Sequence, residues 1–493
     1  MNGFHRPLAQ ALESYQGLGR FRFHVPGHSG NALVESLTGW TIPGLSPETY
    51  RFDQTEVEGL DVLSEPEGCL LASQHLVAEG YGVAHSFYSV NGASALLIAG
   101  MLSMIKPGEK VLLPRNVHRA VISGLILTGA KPIWLMPPWD PVWGIWGSLS
   151  ADAIRKHLEQ DSEIKALVVT SPTYEGIGSD IPALSAICKE HQVKLLVDEA
   201  HGSLWPFCEA LPQSALYQGA DLVIQSLHKS AGSLTQTALG HLPKGSCIDP
   251  EVFQDALNTL QTTSPSYLLM ASLEAAALML TMPETREQLR GFLEQVQGFR
   301  KDFSAAIKAF ELFQPSGSSE MFHSWDPTRL LIRHPSWAGQ DWAVQMESEN
   351  GLAYESTSPD HSLYIAQWGL EPSDYKGFLS VFDQAQTPVP QSNFKQSNFK
   401  QSKFKKSKFK KSKFKKSNFK EYPPLPIPIT GLLPRDAFFA PSQPVSQSEA
   451  VGRIAKNTLV HCPPGVPVLL PGEVIQEAHG PYLPEQVLVI IEK

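Results

Sequence analysis

Lys229 closes the stretch Ser226-Leu227-His228-Lys229, one residue after the apolar run Leu222-Val223-Ile224. The run reads as a buried strand. Burying an ammonium without a partner is costly. Desolvation also lowers a lysine's pKa and frees its amine as a nucleophile, which is what Schiff-base chemistry requires. On these residues alone, a surface lysine at a strand end is the plainer reading. Upstream, a second apolar run, Leu195-Leu196-Val197, leads into Asp198-Glu199-Ala200-His201-Gly202. Alone, Asp198-Glu199 reads equally as a helix cap or a metal ligand. A carboxylate at one strand end and a lysine at another is the pattern of a pyridoxal phosphate site. The lysine carries the cofactor as an imine, and the aspartate keeps the pyridine nitrogen protonated so that the ring accepts electrons from the substrate Cα.

Other residues fit that chemistry. Asn91-Gly92-Ala93-Ser94-Ala95 precedes an apolar helical run. Small residues at a helix start leave backbone N–H groups free for a phosphate, helped by the helix dipole; the alternative is an ordinary cap by Asn91 or Ser94. Ser226 and His228 are candidates for phosphate oxygens. His118 follows a strand and is a candidate to stack on the ring, or a satisfied loop histidine. His201 adjoins the aspartate, and Ala200 is small enough to let the ring lie against the backbone.

A chain of 493 residues suggests two or three domains. From about 51 to 285, apolar runs alternate with helix-like stretches such as 151–160 and 181–190, the signature of a mainly parallel sheet covered by helices. In such sheets ligands sit at the carboxyl ends of strands. Arg115-Asn116-Val117-His118, Ser171-Pro172-Thr173-Tyr174, Asp198 and Lys229 all fall there. Leu289, Leu293, Val296, Phe299, Phe303, Ala306 and Phe310 mark a long amphipathic helix leading into a smaller α+β domain. Residues 448–455 read as helical within a small C-terminal domain.

Residues 391–420 are six copies of a five-residue unit, from QSNFK to KSNFK, with twelve lysines and no acid. Subtracting these from the net charge of −9 leaves −21 on the rest. One Phe every five residues fits neither a helical face nor strand alternation. The segment reads as a disordered linker insert rather than a basic arm for nucleic acid. The acidic balance elsewhere gives no reason to expect nucleic acid or an anionic membrane as partner. The most apolar run, 95–105, is too short to span a bilayer. Five scattered cysteines lack metal-ligand spacing and suggest a reducing compartment. The expected location is cytoplasmic, with no metal.

At this level of detail the chain resembles the Orn/Lys/Arg decarboxylase family, in its shorter form without an N-terminal wing domain. The matching stretches are His24-Val25-Pro26-Gly27-His28, Gly59-Leu60-Asp61 with Pro66-Glu67-Gly68, residues 86–94, Arg115 to His118, Ser171 to Tyr174, Asp198 to Gly202, Ser226 to Lys229, and Thr263-Ser264-Pro265-Ser266-Tyr267. Pro463-Pro464-Gly465-Val466-Pro467 and Pro471-Gly472-Glu473 match near the C-terminus. The resemblance implies a seven-stranded-type, mainly parallel sheet of the aspartate aminotransferase-like class (fold type I). It implies division into an N-terminal segment (1–50), a cofactor-binding large domain (51–285), a small α+β domain (286–385), a linker (386–421) and a C-terminal α+β domain (422–493). It also implies decarboxylation of lysine, arginine or ornithine with pyridoxal 5'-phosphate, in a homodimer or multiple of dimers. The Schiff base falls on Lys229, the ring-nitrogen partner on Asp198, the stacking residue on His118, and phosphate contacts on Ala93, Ser94, Ser226 and His228. Residues 263–266 are expected to reach a neighbouring subunit's phosphate. Ser29, Leu204 and Ser230-Ala231-Gly232 depart from the family pattern. An aminotransferase or other lyase on the same fold, or a cofactor-binding protein without turnover, are the alternatives. Glu473 has two readings: a carboxylate for the substrate's distant cation, or a cap or partner of an arginine on the adjoining domain.

Overall fold

The computed structural model describes residues 5–315, 321–385, 425–460 and 465–491. The repeat, the rest of the linker and Pro463-Pro464 lie outside the described residues. The apolar runs form a seven-stranded sheet from β1 (His85–Ser89), β2 (Lys110–Pro114), β3 (Lys131–Leu135), β4 (Ile164–Thr170), β5 (Lys194–Asp198), β6 (Leu222–Gln225) and β7 (Ala238–Leu242). Their order is β1-β7-β6-β5-β4-β2-β3. The pairs from β6 to β3 are parallel, and β7 is antiparallel to both neighbours. Two antiparallel steps restore direction, so β1 ends on the same edge as β2, β4, β5 and β6.

The strands are apolar on both faces because both faces are covered. Leu112, Leu167, Val169, Leu195, Val197 and Val223 enter one buried cluster. Their neighbours Val111, Leu113, Ala166, Val168, Leu196, Leu222 and Ile224 enter the other. That alternation is the period of two of an extended chain.

Helix α1 (Pro7–Gly17) packs on the helices Cys69–Tyr81 and Tyr267–Leu280. Helices α2 (Gly92–Met104) and α3 (Arg119–Thr128) follow β1 and β2. Glu274 of α4 (Tyr267–Leu280) is fully buried and accepts from Leu8 N and Ala9 N, both at 2.9 Å. A carboxylate there satisfies the orphan donors of α1 and complements its dipole. Asp61 does similar work in the Gly59-Leu60-Asp61 motif. It accepts from the backbone N–H groups of Val62, Glu67, Gly68 and Leu70, which joins that motif to Pro66-Glu67-Gly68.

The long amphipathic stretch is α5 (Pro283–Ala306), burying Leu289, Leu293, Val296, Phe299 and Phe303. It leads into a four-stranded antiparallel sheet of β8 (Glu311–Leu312), β9 (Arg329–Arg333), β10 (Ser356–Thr357) and β11 (Ser362–Ile365), ordered β8-β9-β11-β10 and followed by α6 (Pro372–Gln384). In the C-terminal part, α7 (Pro434–Phe439) packs on α3. Strand β12 (Ser442–Ser446) pairs with β14 (Gln486–Ile490), and β13 (Pro467–Leu469) lies between them in sequence. The helix expected over 448–455 is one turn, Gln447–Ala450. Gly452 then takes φ +83°, and Ala455 N donates to Glu473 O, so the backbone is drawn into β-type pairing instead.

Candidate active site

Asp198 ends β5, opposite Thr170 of β4 and Ile224 of β6. It is 4 % exposed, and its Oδ1 accepts from Ala200 N at 3.2 Å. One strand over, β6 runs through Ser226 into a single helical turn, Leu227–Ser230, that carries Lys229. Lys229 Nζ lies 2.8 Å from His201 Nε2. With the lysine as an ammonium, Nζ donates and Nε2 accepts, so the imidazole proton sits on Nδ1. Burial lowers the Lys229 pKa from its ordinary value; Asp198 opposes this, Arg329 adds to it, and Glu355 opposes it. His201 is pushed well below the usual histidine value by burial and then by Lys229 and Arg329. The cluster favours a neutral amine and a neutral imidazole, the states a nucleophilic lysine needs.

His118 is the N-cap of α3, and its Nδ1 accepts from Ala120 N at 3.2 Å, which puts its proton on Nε2. Burial lowers its pKa; Asp198 acts against the shift, and Lys229 with it. Those influences bring His118, Asp198 and Lys229 into one electrostatic cluster. His228 Nδ1 donates to Thr237 O at 2.9 Å, so a neutral His228 leaves Nε2 without a proton. As a phosphate ligand it would have to be an imidazolium.

A pyridoxal phosphate fits these residues. At the start of α2, neither Asn91 nor another side chain caps the helix, so the cap reading of Asn91 or Ser94 is not what the structure adopts. Gly92 has φ +72°, Ala93 is buried and Ser94 is exposed at that terminus. A helix start without a cap is a seat for an anion. Ala200 is small and 6 % exposed beside Asp198. Ser226 is buried immediately before the Lys229 turn. Of residues 263–266, Thr263 and Ser264 are exposed, Pro265 is buried, and the Ser266 side chain caps α4 by accepting from Leu269 N.

Three site residues were missed in the sequence because they come from the small domain. Arg329 on β9 is 1 % exposed and donates through Nη2 to His201 O at 2.8 Å. Gln367 Nε2 donates to Lys229 O at 3.1 Å. Glu355 accepts a hydrogen bond from Tyr174 and is exposed. Tyr174 in turn sits edge-on to His201, ring centroids 4.8 Å apart. No spacing in the sequence links these positions to Lys229; only the docking of the small domain does.

Glu473 is placed differently from the substrate reading. It is 2 % exposed, accepts from Leu470 N at 2.9 Å, and lies 4.0 Å from Arg115 Nη2 and 3.2 Å from His479 Nε2. Its carboxylate is engaged inside the protein, as the partner of an arginine on the adjoining domain, so the substrate role is withdrawn.

Known proteins agree with this architecture. The profile of the Orn/Lys/Arg decarboxylase major domain matches residues 6–343, and that of the Orn/Lys/Arg decarboxylase C-terminal domain matches 436–484. The chain is 30% identical to an arginine decarboxylase of Halalkalibacterium halodurans, over 97% of this chain and 93% of that protein. It is 29% identical to an arginine decarboxylase of Bacillus subtilis, over 98% of this chain and 94% of that one. The solved structure of lysine decarboxylase A from Pseudomonas aeruginosa superimposes with a TM-score of 0.79 at 19% identity, covering 96% of this chain and 75% of that one. The uncapped helix start, the Asp198–Lys229 pair and the matched profiles converge: the chain belongs to the Orn/Lys/Arg decarboxylase family.

Proposed function

We propose that this protein is a pyridoxal phosphate-dependent decarboxylase that converts a basic amino acid to the corresponding amine and CO2. The observation that carries the reading is the half-buried Lys229–His201 contact at 2.8 Å beside Asp198. The cofactor supplies, when bound, a protonated pyridine ring that withdraws electrons from the substrate Cα. We assign Lys229 to its attachment, Asp198 to the ring nitrogen, and His118 to the ring face. Ala93 and Ser94, with Ser226 and His228, are assigned to the phosphate, and Ala200 to the space the ring needs. His201 accepts a hydrogen bond from Lys229 and keeps its amine oriented. Lys229 or His228 returns a proton to Cα after CO2 leaves.

Glu355 takes the role the sequence offered to Glu473. Its carboxylate is exposed, and it lies near enough to raise the Lys229 pKa. A basic side chain reaching it would gain a charge-assisted hydrogen bond. Arginine is the first substrate to test, because the relatives at 29–30% identity over nearly the whole chain are named arginine decarboxylases. Purified protein with pyridoxal phosphate should release CO2 and an amine from arginine, lysine or ornithine. A keto acid product would point to transamination instead. A wild-type protein that develops no visible cofactor band, or a band that survives Lys229→Ala, would sink the reading.

A homodimer belongs to the same proposal. Phe21, Phe23, Leu37 and Trp40 are 92%, 98%, 75% and 73% exposed in one chain. An apolar strap of that kind is the mark of a protein interface. Of residues 263–266, Thr263 and Ser264, exposed in the single chain, are assigned to a neighbour's phosphate. Light scattering should give twice the chain mass, and Phe23→Asp with Trp40→Asp should halve it. A cytoplasmic location is supported by Cys69, Cys188, Cys208 and Cys247 being unpaired. Among the described residues no helix is long and apolar enough to cross a membrane.

A further inference from the structure

Helix α3, which His118 caps, is held by the C-terminal part of the chain at both of its ends. At its start Arg119 N donates to Gly465 O at 3.0 Å. At its end Arg435 Nη1 donates to Leu127 O at 3.1 Å. Between them, Leu470 is buried in the same apolar cluster as Val117, Ala120 and Val121. Arg115, three residues before His118, is fully buried. Its guanidinium donates to Pro467 O at 2.6 Å and Val468 O at 2.7 Å. Glu473 Oε2 faces it at 4.0 Å while accepting from Leu470 N.

A buried ion pair is a weak device for stability, because desolvation offsets most of the attraction. What a guanidinium fork does supply is direction. Two parallel N–H donors on two successive carbonyls fix the plane and the origin of the side chain. The backbone from Arg115 to Arg119 is therefore gripped on both sides of His118, by β13 and by Gly465. We propose that Arg115 and Glu473 are positioning residues. Through them the C-terminal domain sets His118 against the cofactor ring. Cofactor affinity then depends on a domain whose described residues contribute no side chain to the cluster around Lys229. This rests on the assignment of His118 to the ring face.

The test is a double-mutant cycle on the full-length protein, stripped of cofactor and titrated with pyridoxal phosphate. The readout is the dissociation constant from the visible band, with the melting temperature of the cofactor-free form alongside. Arg115→Lys keeps the charge and loses the fork. It should weaken binding about tenfold in the wild-type background and less than about twofold in the His118→Ala background, because residues acting as one unit are not additive. Where Arg115→Lys fails to fold, Glu473→Gln carries the same cycle, since the amide oxygen still accepts from Leu470 N. Equal weakening in both backgrounds, or unchanged affinity with only a lower melting temperature, overturns the proposal. Unchanged affinity in His118→Ala removes the ring contact, and the proposal with it, while leaving the assignment of Lys229 standing. A wild-type protein without a visible band is a different failure, that of the function itself.

Discussion

At the scale of single residues, the chemistry turns on protonation states set by burial. Lys229 is half-buried, and desolvation outweighs the nearby Asp198 carboxylate, so its amine is easier to free than that of a lysine in water. His201 is driven neutral by the same cause and is left as an acceptor for Nζ. Glu355, exposed and hydrogen-bonded by Tyr174, is the carboxylate proposed to meet a substrate cation. Glu355→Gln should raise KM for the basic substrate about tenfold or more, the scale of one hydrogen bond to a charged group. The visible band and the melting temperature should hold, because Glu355 is exposed. Steady-state kinetics with arginine and lysine check this. An unchanged KM would return the question of the distant cation to other residues.

At the scale of elements, the site depends on strand ends and on one tight passage between domains. Arg329 reaches the His201 carbonyl only because Gly176 has no side chain. A Cβ there would lie 2.5 Å from Arg329 Cγ, and the backbone stands at φ +93°. Gly176→Ala should therefore destabilise the fold by about 1–2 kcal/mol from backbone strain alone, and by more if Arg329 is displaced. Loss of the Arg329–His201 contact should also lower turnover. Thermal melting and kinetics of the one variant separate the two effects. A variant with wild-type stability and rate would show that β9 can yield without consequence. The same logic places Glu199, next to Asp198 but fully buried, outside the chemistry. It accepts from Ser214 Oγ and Ala215 N, each at 3.0 Å, and burial raises its pKa to about 8.

At the scale of the whole molecule, buried ionisable groups give stability a pH profile. His241 and His361 are held neutral by burial, with pKa values lowered from 6.5 to about 3 and about 4. Below 6.5 the unfolded chain takes up protons that these folded histidines refuse. Stability therefore falls as pH drops from 6.5 toward 4, by up to about 1.4 kcal/mol per pH unit for each. Glu199 works the other way. Its folded pKa is raised from 4.5 to about 8, so stability is lost as pH rises through that window. Together these groups set a maximum near pH 6.5. Glu199→Gln should leave melting at pH 5 nearly unchanged and raise it by several degrees at pH 8.5. A scan of melting temperature from pH 4 to 9 on both proteins reads this directly. Deleting residues 391–420 should leave cofactor binding and turnover nearly unchanged, because loop-closure entropy varies slowly with length. A deletion that abolished activity or split the oligomer would show that the repeat is more than a linker.

The sequence by itself determined the strands and the residues at their ends. Val111 to Leu113, Leu195 to Val197 and Leu222 to Ile224 are apolar on both faces, and only a sheet covered on both sides buries such runs. Asp198, His118 and Lys229 were legible because each lies within five residues after one of these runs, and parallel strands bring their carboxyl ends to one edge. The tertiary structure alone decided Arg329, Glu355 and Gln367, which lie a hundred or more residues from Lys229 and reach it by domain docking. It also decided Glu473. A Pro-Gly-Glu turn does not state which way its carboxylate points, and the buried guanidinium that draws it inward sits on a different domain, at Arg115. The short turn at Gln447–Ala450 has the same origin, since pairing of Ala455 with Glu473 overrode a local helical preference.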